Sequence, residues 1–96
     1  MLFWMIKSFR GKDTLAFYEG RRVRRFGGFA DQARKRLQVL DAARSMGDLA
    51  ALQSNRFEKL HGDRAGQYSI RVSDQWRLCF RWTGEGLEDV EIVDYH

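Results

Sequence analysis

Two stretches in the last third of the chain alternate apolar and polar side chains. Tyr68, Ile70 and Val72 alternate with Ser69, Arg71 and Ser73; Trp76, Leu78, Phe80 and Trp82 alternate with Arg77, Cys79 and Arg81. A period of two predicts half-buried strands. Thr83 to Gly86 reads as a loop and Leu87 to Tyr95 as a final strand. Phe57 to Leu60 reads as a short strand and Gly62 to Gly66 as a turn. Upstream the period changes. From Ala30 to Met46, Ala33, Leu37, Leu40 and Ala43 keep a helical rhythm, with Arg34, Lys35, Arg36 and Gln38 elsewhere on the wheel. Gly47 is the expected stop, and Asp48 the expected cap of one more turn, Leu49 to Leu52. Met5 to Phe9 predicts a first strand, and Asp13 caps a brief helix, Thr14 to Glu19, ending at Gly20. A basic run, Arg21 to Arg25, closes on Phe26-Gly27-Gly28. The order β-α-α followed by an antiparallel β-meander predicts an α+β domain with helices packed on one face of a twisted sheet.

The alternating strands can be aligned, because opposed residues of an antiparallel pair share a face. A two-residue loop at Ser73-Asp74 sets Arg71 opposite Trp76 and mixes the faces. A three-residue loop, Ser73 to Gln75, pairs Val72 with Trp76, Ile70 with Leu78 and Tyr68 with Phe80. That register sets Arg71 against Arg77, Ser69 against Cys79 and Gln67 against Arg81. Opposed like charges cost a few tenths to about 1 kcal/mol. Either an internal carboxylate, for which Glu91 is the candidate, or a bound phosphate would compensate them. On the last strand, Val90 and Ile92 facing the core would send Glu91, Val93 and Tyr95 to the arginine face, and Asp94 and His96 the other way. From spacing alone, Asp94-Tyr95-His96 reads as a frayed polar tail.

Composition narrows the picture. The chain has 96 residues, enough for one compact domain, and seven Phe, three Trp and three Tyr give it a core. A net charge of +4 and a pI near 9.6 lean toward polyanionic partners. The single cysteine, Cys79, excludes an internal disulfide framework, fits a reducing cytosol, and sits where a packed, inert thiol is expected. Met1 to Ile6 is apolar but too short to span a membrane. Two histidines, one cysteine and scattered acids make a poor zinc site.

Leu60-His61-Gly62-Asp63-Arg64, Gln67-Tyr68-Ser69-Ile70-Arg71-Val72, Gln75-Trp76-Arg77-Leu78-Cys79-Phe80 and Val93-Asp94-Tyr95-His96 resemble HigB-type toxins of the RelE/ParE superfamily of bacterial toxin–antitoxin systems. Met5-Ile6-Lys7-Ser8-Phe9 is similar to that family's start, which makes residues 1–4 an expected extension and residues 5–96 a single RelE/HigB-like domain. The resemblance implies the toxin of a type II system, a ribosome-dependent mRNA endonuclease working without metal or other cofactor in the bacterial cytoplasm. A helix-turn-helix antitoxin would hold it inactive, with oligomers forming only through that complex. The reaction implied is attack of a ribose 2′-OH on the neighbouring phosphorus.

Carried over residue by residue, the resemblance gives Arg77 the scissile phosphate, with Arg71 beside it. Tyr95 and His96 stand at the active groove, His96 as the preferred proton-transfer group and Asp94 tuning both. Lys59, Arg64, Arg21, Arg22, Arg24 and Arg25 would hold the RNA backbone. One position departs: the family pattern usually carries lysine directly before Gly-Asp-Arg, where this chain has His61. His61 either joins the acid–base chemistry or marks a catalytically weak or inactive RNA- or antitoxin-binding module. The gyrase-poisoning activity found elsewhere in the superfamily fits Asp94-Tyr95-His96 less well.

Overall fold

The computed structural model of the chain describes residues 6–94. Four strands form one antiparallel sheet in the order β1-β2-β3-β4: β1 is Glu58–Lys59, β2 Gln67–Arg71, β3 Trp76–Trp82 and β4 Leu87–Asp94. Three helices precede it, α1 at Lys12–Tyr18, α2 at Ala30–Ala42 and α3 at Met46–Ala51. The α+β class and the helices-then-meander order expected from the pattern both hold. Among the described residues no helix is long and apolar enough to cross a membrane.

The register follows from the alternation. Tyr68 faces Phe80, Ile70 faces Leu78, Ser69 faces Cys79, Gln67 faces Arg81 and Arg71 faces Arg77. Ile70, Leu78 and Phe80 are fully buried against Leu37 and Leu40 of α2. The apolar sheet face is therefore the helix face, and the arginines stand on its reverse.

Strict alternation breaks in β4. Arg77 pairs with Val93 and Cys79 with Glu91, but Arg81 pairs with Glu88, so β4 carries one extra residue there. Asp89 absorbs it with φ 54. Without this bulge Val90 and Ile92 could face the core only with Leu87 turned to the polar side; with it, all three are buried. The predicted first strand does not form as a strand among the described residues: the segment makes only isolated parallel bridges, Ile6 to Leu87 and Phe9 to Val90. Ser8 Oγ meanwhile accepts the bulged Asp89 N–H at 3.0 Å. Met5 and the expected extension lie outside the described residues.

Helix limits differ from expectation for local reasons. α2 stops at Ala42, and Ser45 starts α3: its Oγ accepts the Asp48 N–H at 3.2 Å, while the Asp48 carboxylate accepts the Arg44 N–H at 2.9 Å. Gly47 thus sits in the first turn of α3 rather than closing α2, and Asp48 is the third helical residue, in a reciprocal cap of the capping-box kind. α1 begins after Gly11 at φ 82 with no side-chain cap. Asp13 instead pairs with Arg25 at 3.1 Å. The connector is less open than its charges suggest. Arg24–Phe29 winds into a 3-10 turn that buries Phe26 against Phe17 and Trp76, with ring centroids 5.5 and 5.8 Å apart. Thr14 Oγ1 accepts the Ile92 N–H at 3.1 Å and fixes α1 to β4.

Candidate nucleic-acid interface

The reverse face of the sheet collects Ser69, Arg71, Arg77, Cys79 and Glu91, and the pairing of Glu58 with Ser69 adds Glu58 from β1. Arg77 is at the centre and only 9% exposed. Its Nε donates to Ser69 Oγ at 2.7 Å, one terminal nitrogen donates to the Arg56 carbonyl, and the same nitrogen lies 3.7 Å from Glu58 Oε1. Arg56 can offer its carbonyl because it takes a left-handed conformation, φ 48, at the end of a 3-10 turn. Arg71 turns its fork away, to the Ser73 carbonyl at 3.3 Å and the Asp74 carboxylate. The opposed arginines are thus relieved by separate partners. Glu91, the carboxylate expected between them, serves Arg64 instead at 3.6 Å.

Arg64 is drawn onto this face, half-buried, with Nη1 donating to Gln67 Oε1 at 3.0 Å. Gly66 has φ 89, a left-handed conformation that favours glycine. Cys79 is buried among these groups. Burial pushes its thiol pKa up, Arg64 pulls it down, Glu91 raises it and Arg77 lowers it. A thiol so placed is packing, not a nucleophile.

The remaining sequence-derived residues divide. Asp94 opposes Trp76, on the other side of β4 from Glu91, with an oxygen 3.4 Å from Gln75 Nε2. Tyr95 and His96 lie outside the described residues. His61 is exposed at the mouth of the Gly62–Arg64 turn, where its carbonyl accepts the Arg64 N–H at 3.2 Å. Lys59 pairs with Tyr68, so it stands at the sheet edge on the side opposite Arg77. Arg21 lies 4.0 Å from Glu19, Arg22 and Arg24 are exposed, and Arg25 covers the Phe26 and Trp76 rings. That run belongs to the helix side of the Trp76 end. Among the described residues no group of three or more His, Cys, Asp or Glu could hold a metal ion.

Glu58 was missed from sequence. Its side chain is 54% exposed, and it is the carboxylate beside the buried guanidinium. A two-residue strand has no alternation to reveal its face. Ser69 was placed on the correct face, but its role as the acceptor for Arg77 shows only in the geometry.

A four-stranded antiparallel sheet, helices on one side and a guanidinium-rich polar face on the other, defines a small basic α+β domain. The family model described as "RelE-like toxin of type II toxin-antitoxin system HigB" matches residues 7–96, and the chain belongs to that family. It is 38% identical over 94 residues to Toxin HigB-1 of Vibrio cholerae serotype O1, covering 96% of this chain and 98% of that one. To Endoribonuclease HigB of Proteus vulgaris it is 34% identical over 93 residues, 96% of this chain and all of the relative. A chain of the YoeB-YefM complex from Staphylococcus aureus superposes with a TM-score of 0.58 over 95% of this chain and 97% of its own, at 17% identity. That last likeness concerns the fold, which is RelE-like, as the resemblance implied.

Proposed function

We propose that this chain is an endoribonuclease toxin that cleaves mRNA on the ribosome, with its chemistry on the arginine face. The observation that carries the reading is Arg77, a guanidinium fixed by Ser69 and the Arg56 carbonyl, with a half-exposed carboxylate, Glu58, at its open side. The name of the Proteus vulgaris relative, an endoribonuclease, supports the reaction class.

The step is attack of a ribose 2′-oxygen on the adjacent phosphorus, forming a 2′,3′-cyclic phosphate and breaking the bond to the 5′-oxygen of the next nucleotide. A phosphate reaching Arg77 displaces Glu58 from its 3.7 Å contact, because its two non-bridging oxygens match the guanidinium fork and accept from it directly, where Glu58 stands beyond hydrogen-bond distance. Glu58, released beside the substrate, takes the 2′-OH proton. Arg77 neutralises the charge that grows on phosphorus, with Arg71 at the flank. His96 protonates the departing 5′-oxygen, Tyr95 and Asp94 orient it, and His61 stands close to the turn that carries Arg64. Arg64 holds RNA phosphate beside Arg77, whereas Lys59, Arg21, Arg22, Arg24 and Arg25, on the other side of the sheet, meet ribosomal phosphates electrostatically. A helix-turn-helix antitoxin restrains the enzyme in the bacterial cytoplasm.

The burial of Arg77 favours a second reading as well. With three internal partners already made, it suits a binding module that holds RNA or antitoxin without cutting. Primer extension on ribosome-bound mRNA separates the two. The enzymatic reading expects new 5′-hydroxyl ends on the downstream fragment, a 2′,3′-cyclic phosphate on the separated upstream fragment, and no cut where the scissile nucleotide is 2′-deoxy. Binding to ribosomes without new ends, by protein whose fold is intact, sinks it.

A further inference from the structure

Among the described residues two buried carboxylate oxygens have no hydrogen-bond partner, Asp41 Oδ1 and Glu91 Oε1. Asp41 lies on the helix side, where its other oxygen accepts the Tyr18 O–H at 2.8 Å. Glu91 lies on the arginine face, and Arg64 stands 3.6 Å from its buried oxygen, too far to donate to it. A carboxylate oxygen closed off from water without a donor costs stability, and folded chains keep few of them. Glutamine would fill the same space without a buried charge, so the charge at Glu91 answers to something other than packing.

The same pairing recurs along the face. Arg77 has Glu58 at 3.7 Å, Arg81 has Asp89 at 3.4 Å, and Arg71 has Asp74. The arginines of β2, β3 and the turn before them thus each meet one carboxylate, and Glu88 stands opposite Arg81 in the ladder as a further acid. Such pairs present almost no net charge at a distance, and what remains is screened within about 8 Å at physiological salt. The +4 of the chain is consequently carried elsewhere, and the exposed run Arg21 to Arg25 belongs to the opposite side of the sheet.

We propose that Asp74 and Glu91 are specificity-determining residues: they hold Arg71 and Arg64 in ion pairs, so that the arginine face does not retain free single-stranded RNA. The proposal deepens the toxin reading and rests on it. Capture is left to the cations of the helix side and the β1 edge. An mRNA backbone held on the ribosome is then presented in place, and its phosphates replace the carboxylates. A free strand must supply that exchange from its own binding energy, with no excess charge to draw it in. Asp74 and Glu91 act through the two arginines, not on the reacting atoms.

The test uses the full chain and a fluorescent single-stranded RNA made uncleavable by 2′-O-methyl groups, with binding followed by anisotropy. Asp74→Asn combined with Glu91→Gln should tighten binding about tenfold or more. The slope of log affinity against log salt should steepen by about 1.4, close to 0.7 for each released guanidinium. Asp74 is 96% exposed, so Asp74→Asn alone leaves folding intact and should tighten binding about threefold. Asp31→Asn removes the same charge from α2 and should stay within about twofold. Unchanged affinity and salt slope in folded variants, or equal tightening by Asp31→Asn, overturns the proposal. Cleavage separates it from the toxin reading. If free RNA binds more tightly as expected while no ribosome-bound mRNA is cut, the exclusion stands and the enzymatic reading falls. If wild type cuts on the ribosome and the variants bind free RNA no better than it does, the exclusion alone falls.

Discussion

Ser69→Ala probes the link between fold and chemistry most sharply. Ser69 is fully buried, and its Oγ accepts from Arg77 Nε at 2.7 Å. Removing that oxygen leaves a charged donor, itself 9% exposed, facing a methyl group. A hydrogen bond to a charged group contributes about 1.5–3 kcal/mol, and the donor left behind adds desolvation cost, so the upper half of that range is expected. In a domain of this size that is a fall in Tm of roughly 10 °C or more. Urea denaturation followed by tryptophan fluorescence should show a lower midpoint with an unchanged slope. Cleavage of ribosome-bound mRNA should fall about tenfold even well below the melting range, because Arg77 keeps its charge but loses the contact that aims it. A loss of stability under about 0.5 kcal/mol together with wild-type cleavage refutes the anchoring role.

Three further outcomes follow from neighbouring features. Tyr18 has its pKa raised to about 12, so the folded state holds a proton that the unfolded state releases near 10. Stability should therefore decline as pH climbs from about 10 to 12, and Tyr18→Phe should flatten that decline; equal slopes in both proteins would count against the Tyr18–Asp41 pair. Cys79, buried with its pKa pushed up, should react with a thiol reagent only after denaturation, and rapid labelling of native protein contradicts the packing described. Asn55, fully buried, accepts from Arg36 at 2.7 Å and donates to the Leu49 carbonyl at 3.0 Å, so Asn55→Ala should cost about 2–4 kcal/mol by urea melt; a neutral result removes it from the scaffold.

The register of β2 and β3 was legible because both strands alternate strictly, and only one loop length keeps the faces apart. The β4 bulge was not. Leu87 and Val90 are three apart, which fits neither strand period, and nothing marks Asp89 as the residue that takes a positive φ. The 3-10 turn at Arg24–Phe29 hid behind its charges, although its two buried phenylalanines were present in the pattern. At the site, alternation placed Arg77, Arg71 and Ser69 on one face. It could not show that Arg77 is enclosed, since one partner is a backbone carbonyl and another comes from the two-residue strand β1. Lys59 shows the same limit: the register of β1 sends it to the opposite side.

The central claim is that the guanidinium of Arg77 stabilises the transition state of RNA cleavage. The single-turnover rate on ribosome-bound mRNA, wild type against Arg77→Ala, tests it directly, with both proteins shown folded by their urea melts. Loss of one such electrostatic group predicts a fall of about a hundredfold or more. A folded Arg77→Ala protein that cuts at the wild-type rate would place the chemistry elsewhere.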